Sequence, residues 1–72
     1  MTLENFLRAY YAVRKPYGTY VTQHLYSKNG KNIDHLPFDK LLGYGIHEIL
    51  FDEMDDRGVP CIIITLNVVY TG

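Results

Sequence analysis

Apolar residues are densest in the last third of the chain, where two runs, residues 46–54 and 61–70, are separated by a polar segment. The second run is rich in β-branched isoleucine and valine, which favour a packed strand. The separating segment, Asp55-Asp56-Arg57-Gly58, consists of residues that are common in turns. The pattern therefore predicts a β-hairpin with a mostly buried second strand. Pro60 fits at the start of that strand, where its missing N–H is tolerated.

A helical spacing of apolar residues marks the start of the chain. The residues that fall on one helical face are Leu3, Phe6, Leu7 and Tyr10. Thr2 is a suitable N-cap, because its hydroxyl can accept a hydrogen bond from an unpaired amide of the first turn. Pro16 disfavours helical geometry in the residue before it, so we predict a helix over residues 2–13.

The middle of the chain predicts a second hairpin and a short helix. Residues 19–26 alternate in a way that is typical of a strand, and Asn29-Gly30 favours a tight two-residue turn. A short polar return strand over residues 31–35 would then form an edge of the sheet. Residues 37–42 begin with proline and predict a short helix.

This order of helix, hairpin, short helix and hairpin predicts a single α+β domain that spans residues 1–72. The expected architecture is a four-stranded antiparallel sheet with the N-terminal helix packed on one face. A chain of 72 residues buries only a small core, which favours binding or inhibitory modules over enzymes.

The sequence contains no arrangement that indicates catalysis or cofactor binding. The single cysteine, Cys61, cannot form an internal disulfide or a cysteine-based zinc site. The three histidines lack the spacing of a helical metal site, although a tight turn at Asn29-Gly30 would place His24 opposite His35. We therefore expect no enzymatic activity, no cofactor and no metal ion.

Nothing in the sequence indicates export or membrane insertion. The first residues lack a basic segment followed by an apolar stretch, which a signal peptide requires. The longest strongly apolar run has about ten residues, which is too short for a membrane-spanning helix. We therefore expect a cytoplasmic protein without a membrane partner.

Charge is distributed unevenly along the chain, whose net charge is −1. Residues 1–36 contain five basic and two acidic residues, whereas residues 37–72 contain two basic and six acidic residues. Such asymmetry can mark opposed binding faces. Carboxylates along a hairpin can imitate nucleic-acid phosphates in the basic groove of a partner, although their spacing here does not match a calcium loop. The predicted partner-binding residues, which we call the acidic strip, are Glu48, Asp52, Glu53, Asp55 and Asp56, with Tyr44 as an aromatic anchor.

A second surface combines aromatic and basic residues. Tyrosines on a strand face can stack on bases while flanking cations contact phosphates. The residues of this alternative nucleic-acid face are Arg14, Lys15, Tyr20, Tyr26, Lys28 and Lys31. The slightly negative net charge counts against nucleic-acid binding, and tyrosine is also suited to a protein interface.

Three parts of the chain together carry a resemblance to known proteins. They are the opening Thr2–Leu7, the polar hairpin around Asn29-Gly30, and the ending from Gly45 through Asp56-Arg57-Gly58 to Ile64. In this plan the chain resembles the small uncharacterised proteins that are common in phage and prophage genomes of Firmicutes. The resemblance implies a cytosolic accessory protein of a phage or mobile element that binds a host protein, such as a CRISPR–Cas nuclease or another defence factor. It implies no particular site residues.

These observations lead to three functional hypotheses. The first is a non-catalytic protein-binding module, in particular a phage or mobile-element inhibitor of a host defence factor such as a CRISPR–Cas protein, of the anti-CRISPR type, which binds its partner through the acidic strip. The second is a nucleic-acid-binding accessory protein that uses the tyrosine-rich face. The third is a structural homo-oligomer, in which a second copy, as in a homodimer, covers apolar strand faces that so small a domain leaves exposed.

Overall fold

A computed structural model describes residues 1–14 and 22–72 of the chain. The elements, in chain order, are α1 (Leu3–Arg14), β1 (Thr22–Tyr26), α2 (Phe38–Leu41), β2 (Ile46–Met54) and β3 (Pro60–Leu66). The predicted β2 is confirmed at both ends, and Pro60 begins β3 as expected. The predicted start of the first strand and the helix stop at Pro16 lie outside the described residues.

The described strands form one sheet in the order β1-β3-β2. β3 pairs with β1 in parallel and with β2 in antiparallel orientation. The prediction of an α+β domain is therefore confirmed, whereas the prediction of a purely antiparallel four-stranded sheet is wrong. The most apolar strand takes the central position because only there can both of its edges be paired inside the protein.

The predicted return strand over residues 31–35 is also wrong. Only an isolated antiparallel bridge joins Tyr26 to Asn32 in this region. The Leu25 N–H then donates to Asp34 Oδ1 at 2.7 Å, while the Leu25 carbonyl accepts from the Ile33 N–H at 2.9 Å. The Asp34 carboxylate thus replaces a backbone carbonyl as the acceptor for the Leu25 N–H. The antiparallel ladder therefore ends after one bridge.

Both hairpin turns have the same five-residue geometry. In each, the fourth residue is a glycine with positive φ, 84° at Gly30 and 76° at Gly58, and its N–H donates to the carbonyl of the first residue. The first residues, Ser27 and Asp55, also accept a hydrogen bond from the amide of the fifth residue through their side chains. This is a three-residue loop that ends in a glycine bulge rather than the two-residue turn predicted for Asn29-Gly30.

The longer turn shifts the register of the first hairpin by one residue. Ser27 N–H donates to the Lys31 carbonyl at 2.8 Å, and Tyr26 lies opposite Asn32. His24 consequently meets Asp34, with Nδ1 donating to Oδ2 at 2.9 Å, and the predicted pairing of His24 with His35 is wrong. A one-residue shift exchanges every facing pair of side chains, which explains the change.

β2 is longer than its partner because it contains two bulges. Its nine residues lie opposite the seven residues of β3, and the register shifts between Ile46 and Glu48 and again between Leu50 and Glu53. Each bulge adds one residue to β2 and so changes which side chains face the core. Ile46 and Ile49 consequently pack against the core, although they are three residues apart.

The core lies between α1 and one face of the sheet. Its buried apolar side chains are Leu3, Phe6, Leu7, Leu25, Ile33, Leu41, Ile62, Ile64 and Leu66. The predicted apolar face of α1 is thereby confirmed, with Tyr10 partly buried beside it. Thr2 caps the helix as predicted, because its hydroxyl accepts a hydrogen bond from the Asn5 N–H at 3.2 Å.

We expect Gly30→Ala and Gly58→Ala each to lower the free energy of unfolding by about 1 kcal/mol or slightly more, because an L-residue resists positive φ. A Cβ at either position would meet no atom within 4 Å, so backbone strain is the only penalty. Gly43→Ala is the matched control, since it has the same open space without a positive φ. Urea denaturation should leave Gly43→Ala near the parent, and an equal loss in all three variants would contradict the prediction.

We expect Ile64→Val to lower the free energy of unfolding by about 0.5–1.5 kcal/mol and Ile64→Ala by about 2–5 kcal/mol. Ile64 is fully buried at the centre of β3, so both changes leave a cavity. Leu50→Ala is the control, because that side chain is 41% exposed. Urea titrations that gave Leu50→Ala the larger loss would show that the core lies elsewhere.

Candidate functional site

One face of the sheet carries no described helix, and we call it the open face. Along β3, Ile62, Ile64 and Leu66 point into the core, so the alternating residues between them point the other way. Register partners share a face. The open face therefore consists of Thr22, His24 and Tyr26 of β1, Cys61, Ile63 and Thr65 of β3, and Glu48, Leu50 and Glu53 of β2.

Two clefts run along the open face, and Tyr26 and Ile63 line both of them. The first, of about 320 Å³, is completed by Ser27, Lys28, Gly30, His47, Glu48 and Thr65. The second, of about 520 Å³, is completed by His24, Asn32, Asp34, Met54, Asp55, Asp56 and Cys61. The open face is thus grooved, with an apolar centre and charged groups at both ends.

His24 connects the two hairpins at the second cleft. Its Nδ1 lies 2.9 Å from Asp34 Oδ2, and its Nε2 lies 3.9 Å from Asp55 Oδ2. Nε2 is buried and has no hydrogen-bond partner in the part of the chain that the structure describes. The imidazole of His24 therefore lies between two carboxylates, one from each hairpin.

The environment favours the ionised form of both carboxylates. Partial burial raises the pKa of Asp34, but hydrogen bonds from His24, the Leu25 amide and Asn32 outweigh it and leave the pKa below its ordinary value of 3.8. The Val59 amide is the main cause of the lowered pKa of Asp55, and the Arg57 amide and guanidinium add to the effect against a smaller desolvation cost. Asp34 consequently binds His24 and the Leu25 amide as an anion, and Asp55 binds the amides of its own turn as an anion.

Asp55 belongs to the turn rather than to an exposed part of the acidic strip. Its side chain is only 8% exposed, and it accepts hydrogen bonds from the amides of Arg57 at 2.8 Å and Val59 at 2.9 Å. The Arg57 guanidinium also donates to it at 3.1 Å. Asp56, in contrast, is exposed at the tip of the same turn.

The other members of the acidic strip are distributed along β2. Glu48 is exposed on the open face, and Glu53 is half-buried on the same face opposite Cys61. Asp52 lies in β2 between them. Tyr44 is 40% exposed but precedes β2, so about 30 Å of strand separates it from Asp56 at the other end. The structure therefore brings Glu48 and Glu53 to one surface and places Tyr44 and Asp56 beyond opposite ends of β2.

Part of the alternative nucleic-acid face falls on the same surface. Tyr26 and Lys28 line the first cleft together with Glu48, and Lys31 is exposed beyond the turn. A carboxylate beside a cation weakens its attraction for phosphate. Arg14 ends α1, and Lys15 and Tyr20 lie outside the described residues. Residues from the two predicted surfaces thus meet in one cleft, because β1 and β2 flank the same central strand.

Sequence reasoning missed three residues of this site: Asp34, Leu50 and Ile63. Leu50 and Ile63 are register partners at the centre of the open face, and their placement depends on the two bulges of β2. Asp34 faces His24 only because the first turn has five residues. The Ser-x-x-Gly and Asp-x-x-Gly patterns at Ser27 and Asp55 are the sequence signal that could have indicated this turn.

Nothing in the described part of the chain indicates catalysis by a thiol or a metal ion. Cys61 is buried, and the carboxylates of Asp55 and Glu53 add to that burial in raising the pKa of its thiol. A thiol in such surroundings is a poor nucleophile. Residues 1–14 and 22–72 contain no group of three or more His, Cys, Asp or Glu residues arranged to hold a metal ion.

Comparison with protein-family models, with curated proteins and with solved structures returns no match to this chain. None of the helices in the described residues is both long enough and apolar enough to cross a membrane. The open face is therefore interpreted from its own geometry.

We expect Asp34→Asn to lower the free energy of unfolding by about 1 kcal/mol near neutral pH, because the carboxylate that accepts hydrogen bonds from His24 and the Leu25 amide is lost from a partly exposed site. The pKa of Asp34 is lower in the folded than in the unfolded chain, so its contribution is complete above the unfolded value near 3.8 and disappears as the pH falls through the folded value. The difference between parent and variant should therefore shrink between about pH 5 and pH 2.

Urea titrations across that pH range measure the difference directly. Lys40→Gln is the control, because it also removes one charge, from an exposed residue of α2. A constant difference between parent and Asp34→Asn at every pH would contradict the assigned role of the carboxylate.

Proposed function

We propose that the protein is a non-catalytic protein-binding module that receives its partner on the open face and the adjoining acidic strand β2. The observation that supports this most directly is an apolar centre, formed by Tyr26, Leu50 and Ile63, with carboxylates around it. Protein interfaces commonly combine an apolar centre that includes aromatic residues with a polar rim.

Exposed apolar side chains lie along β2 on both faces of the sheet. Leu50 is 41% exposed, Phe51 51% and Met54 65%, and all three belong to β2. Single exposed apolar residues are common, but three within five residues of one strand favour a contact with another molecule. The partner surface would therefore cover β2 and part of the two clefts.

The charge of the surface indicates the kind of partner. Glu48, Glu53 and Asp56 place three carboxylates on this side of the molecule, which would attract a basic protein surface and accelerate association. A basic groove that normally holds nucleic acid has this property. Together with the resemblance to phage and prophage accessory proteins, it leads us to propose an inhibitor of a host defence factor, such as a CRISPR–Cas nuclease, acting in the host cytoplasm.

Nucleic-acid binding is the less favoured function, because Glu48 lies beside Tyr26 and Lys28 in the first cleft. Binding to nucleic acid would be seen as affinity that falls steeply with added salt. A structural homo-oligomer would instead give a native mass that rises with protein concentration. Both alternatives give results that differ from a stable complex with a host protein.

The experiment is an affinity capture with the tagged protein from a Firmicute lysate treated with nuclease, followed by native mass measurement of the recovered complex. The proposal expects one host protein in stoichiometric amount, bound as strongly after nuclease treatment as before. Recovery of nucleic acid alone, or of the protein alone as an oligomer, would contradict it.

We expect the double charge reversal Glu48→Lys with Asp56→Lys to weaken binding of the captured protein by at least about tenfold, through loss of attraction and added repulsion. Both side chains are exposed, so the variant should fold. Asp39→Lys in α2 is the control for a charge reversal elsewhere on the surface. Asp55 is left unchanged, because its substitution would disturb the turn. Equal affinities of parent, control and double variant would remove the acidic strip from the proposed surface.

A further inference from the structure

β2 is an edge strand of the described sheet, and residues 1–14 and 22–72 leave most of its outer edge unpaired. At its start, a bridge between Thr2 and Gly45 and a hydrogen bond from the Ile46 N–H to the Met1 carbonyl at 2.9 Å cover that edge. Beyond Ile46, no described residue outside β3 forms a backbone hydrogen bond with β2. Residues 47–54 thus present about 26 Å of strand whose outward N–H and carbonyl groups can pair with another chain.

Apolar side chains lie on both sides of this edge. Leu50 is on the open face opposite Ile63, whereas the ring of Phe51 lies 6.3 Å from that of Phe6 in α1, on the core side. Consecutive residues of a strand point to opposite faces, which accounts for this placement. The second bulge then returns Glu53 to the open face, because it adds one residue between Leu50 and Glu53. A strand added at this edge would therefore have an apolar side chain of β2 beside it on each face of the sheet, Leu50 on one and Phe51 on the other.

The charges of β2 favour a basic segment over a second copy as the added strand. Glu48 and Glu53 lie on the same side of β2, on the open face. A second β2 strand brings the same two carboxylates, and its residues 47–54 contain no lysine or arginine to pair with them. Lysine or arginine on an incoming strand would pair with these carboxylates favourably.

We propose that the outer edge of β2 binds an extended segment of a partner protein that alternates basic with apolar residues, by adding it to the sheet as a fourth strand. This inference rests on the proposed function and specifies its mode of binding. Backbone hydrogen bonds supply affinity in such complexes, and the alternating side chains supply specificity. The basic residues of the segment would face Glu48 and Glu53 on the open face, and its apolar residues, on the other face of the added strand, would cover Phe51.

The test uses ¹⁵N-labelled full-length protein and synthetic nonapeptides that are acetylated and amidated. The first peptide alternates lysine with valine, the second alternates glutamate with valine, and the third is the lysine peptide with N-methyl groups on alternate amides. We expect the lysine peptide to shift the amide resonances of residues 47–54 and to protect them from hydrogen exchange. The glutamate and N-methylated peptides should bind at least about tenfold more weakly.

The variant Glu48→Lys with Glu53→Lys should weaken binding of the lysine peptide by a similar factor, whereas Asp39→Lys should not change it. Amide exchange across the sheet confirms that each variant is folded. Equal binding of the lysine and glutamate peptides would overturn the proposed partner chemistry. Shifts confined to the open face, without protection of β2, would overturn strand addition.

Two further outcomes separate this inference from the proposed function. Protection of residues 47–54 that rises with protein concentration in the absence of peptide would identify a second copy as the occupant and overturn the inference. Failure of every peptide to bind would overturn it as well. Capture of a host protein that is lost with Glu48→Lys and Asp56→Lys would still support the proposed function in that case.

Discussion

The parallel pairing of β1 with β3 is the interaction on which the rest of the structure depends. Five consecutive register pairs, from Thr22 with Cys61 to Tyr26 with Thr65, join residues that are almost forty positions apart in the chain. This pairing makes β3 the central strand, because β2 already occupies its other edge through the hairpin. One side of β3 then supplies the centre of the core against α1, and the other side becomes the open face.

Side-chain hydrogen bonds secure the ends of this arrangement. Asp34 ends the first hairpin ladder by accepting from the Leu25 amide and from His24, and Asp55 brings the second turn to within 3.9 Å of the same imidazole. Asn29 pairs with the backbone of Tyr70 through both its amide nitrogen, at 2.8 Å, and its amide oxygen, at 3.1 Å. The two hairpins and the end of the chain are therefore linked by polar groups where a small core supplies little packing.

The features that suit β2 to the proposed binding also reduce the tendency of this exposed edge strand to pair with unrelated chains. Its bulges twist the strand, and its carboxylates repel a second copy. Both features protect edge strands from uncontrolled pairing. In the proposed complex, the same carboxylates would attract the basic segment of the partner. Specificity in this proposal therefore arises from combining an apolar, unpaired edge with charges that reject most other strands.

The sequence alone determined those elements whose signals are local. The helix face of α1, the bounds of β2 and the hairpin with Pro60 at the start of β3 followed from periodicity, capping and turn residues, because these act over a few positions. The tertiary structure alone decided that β1 pairs with β3, since strand pairing depends on contacts between distant residues. It also decided the register that places Asp34 beside His24 and the bulges that bring Glu48, Leu50 and Glu53 to one face. A single added residue reverses the faces of a strand, so the candidate site could be located only once the pairing and the bulges were known.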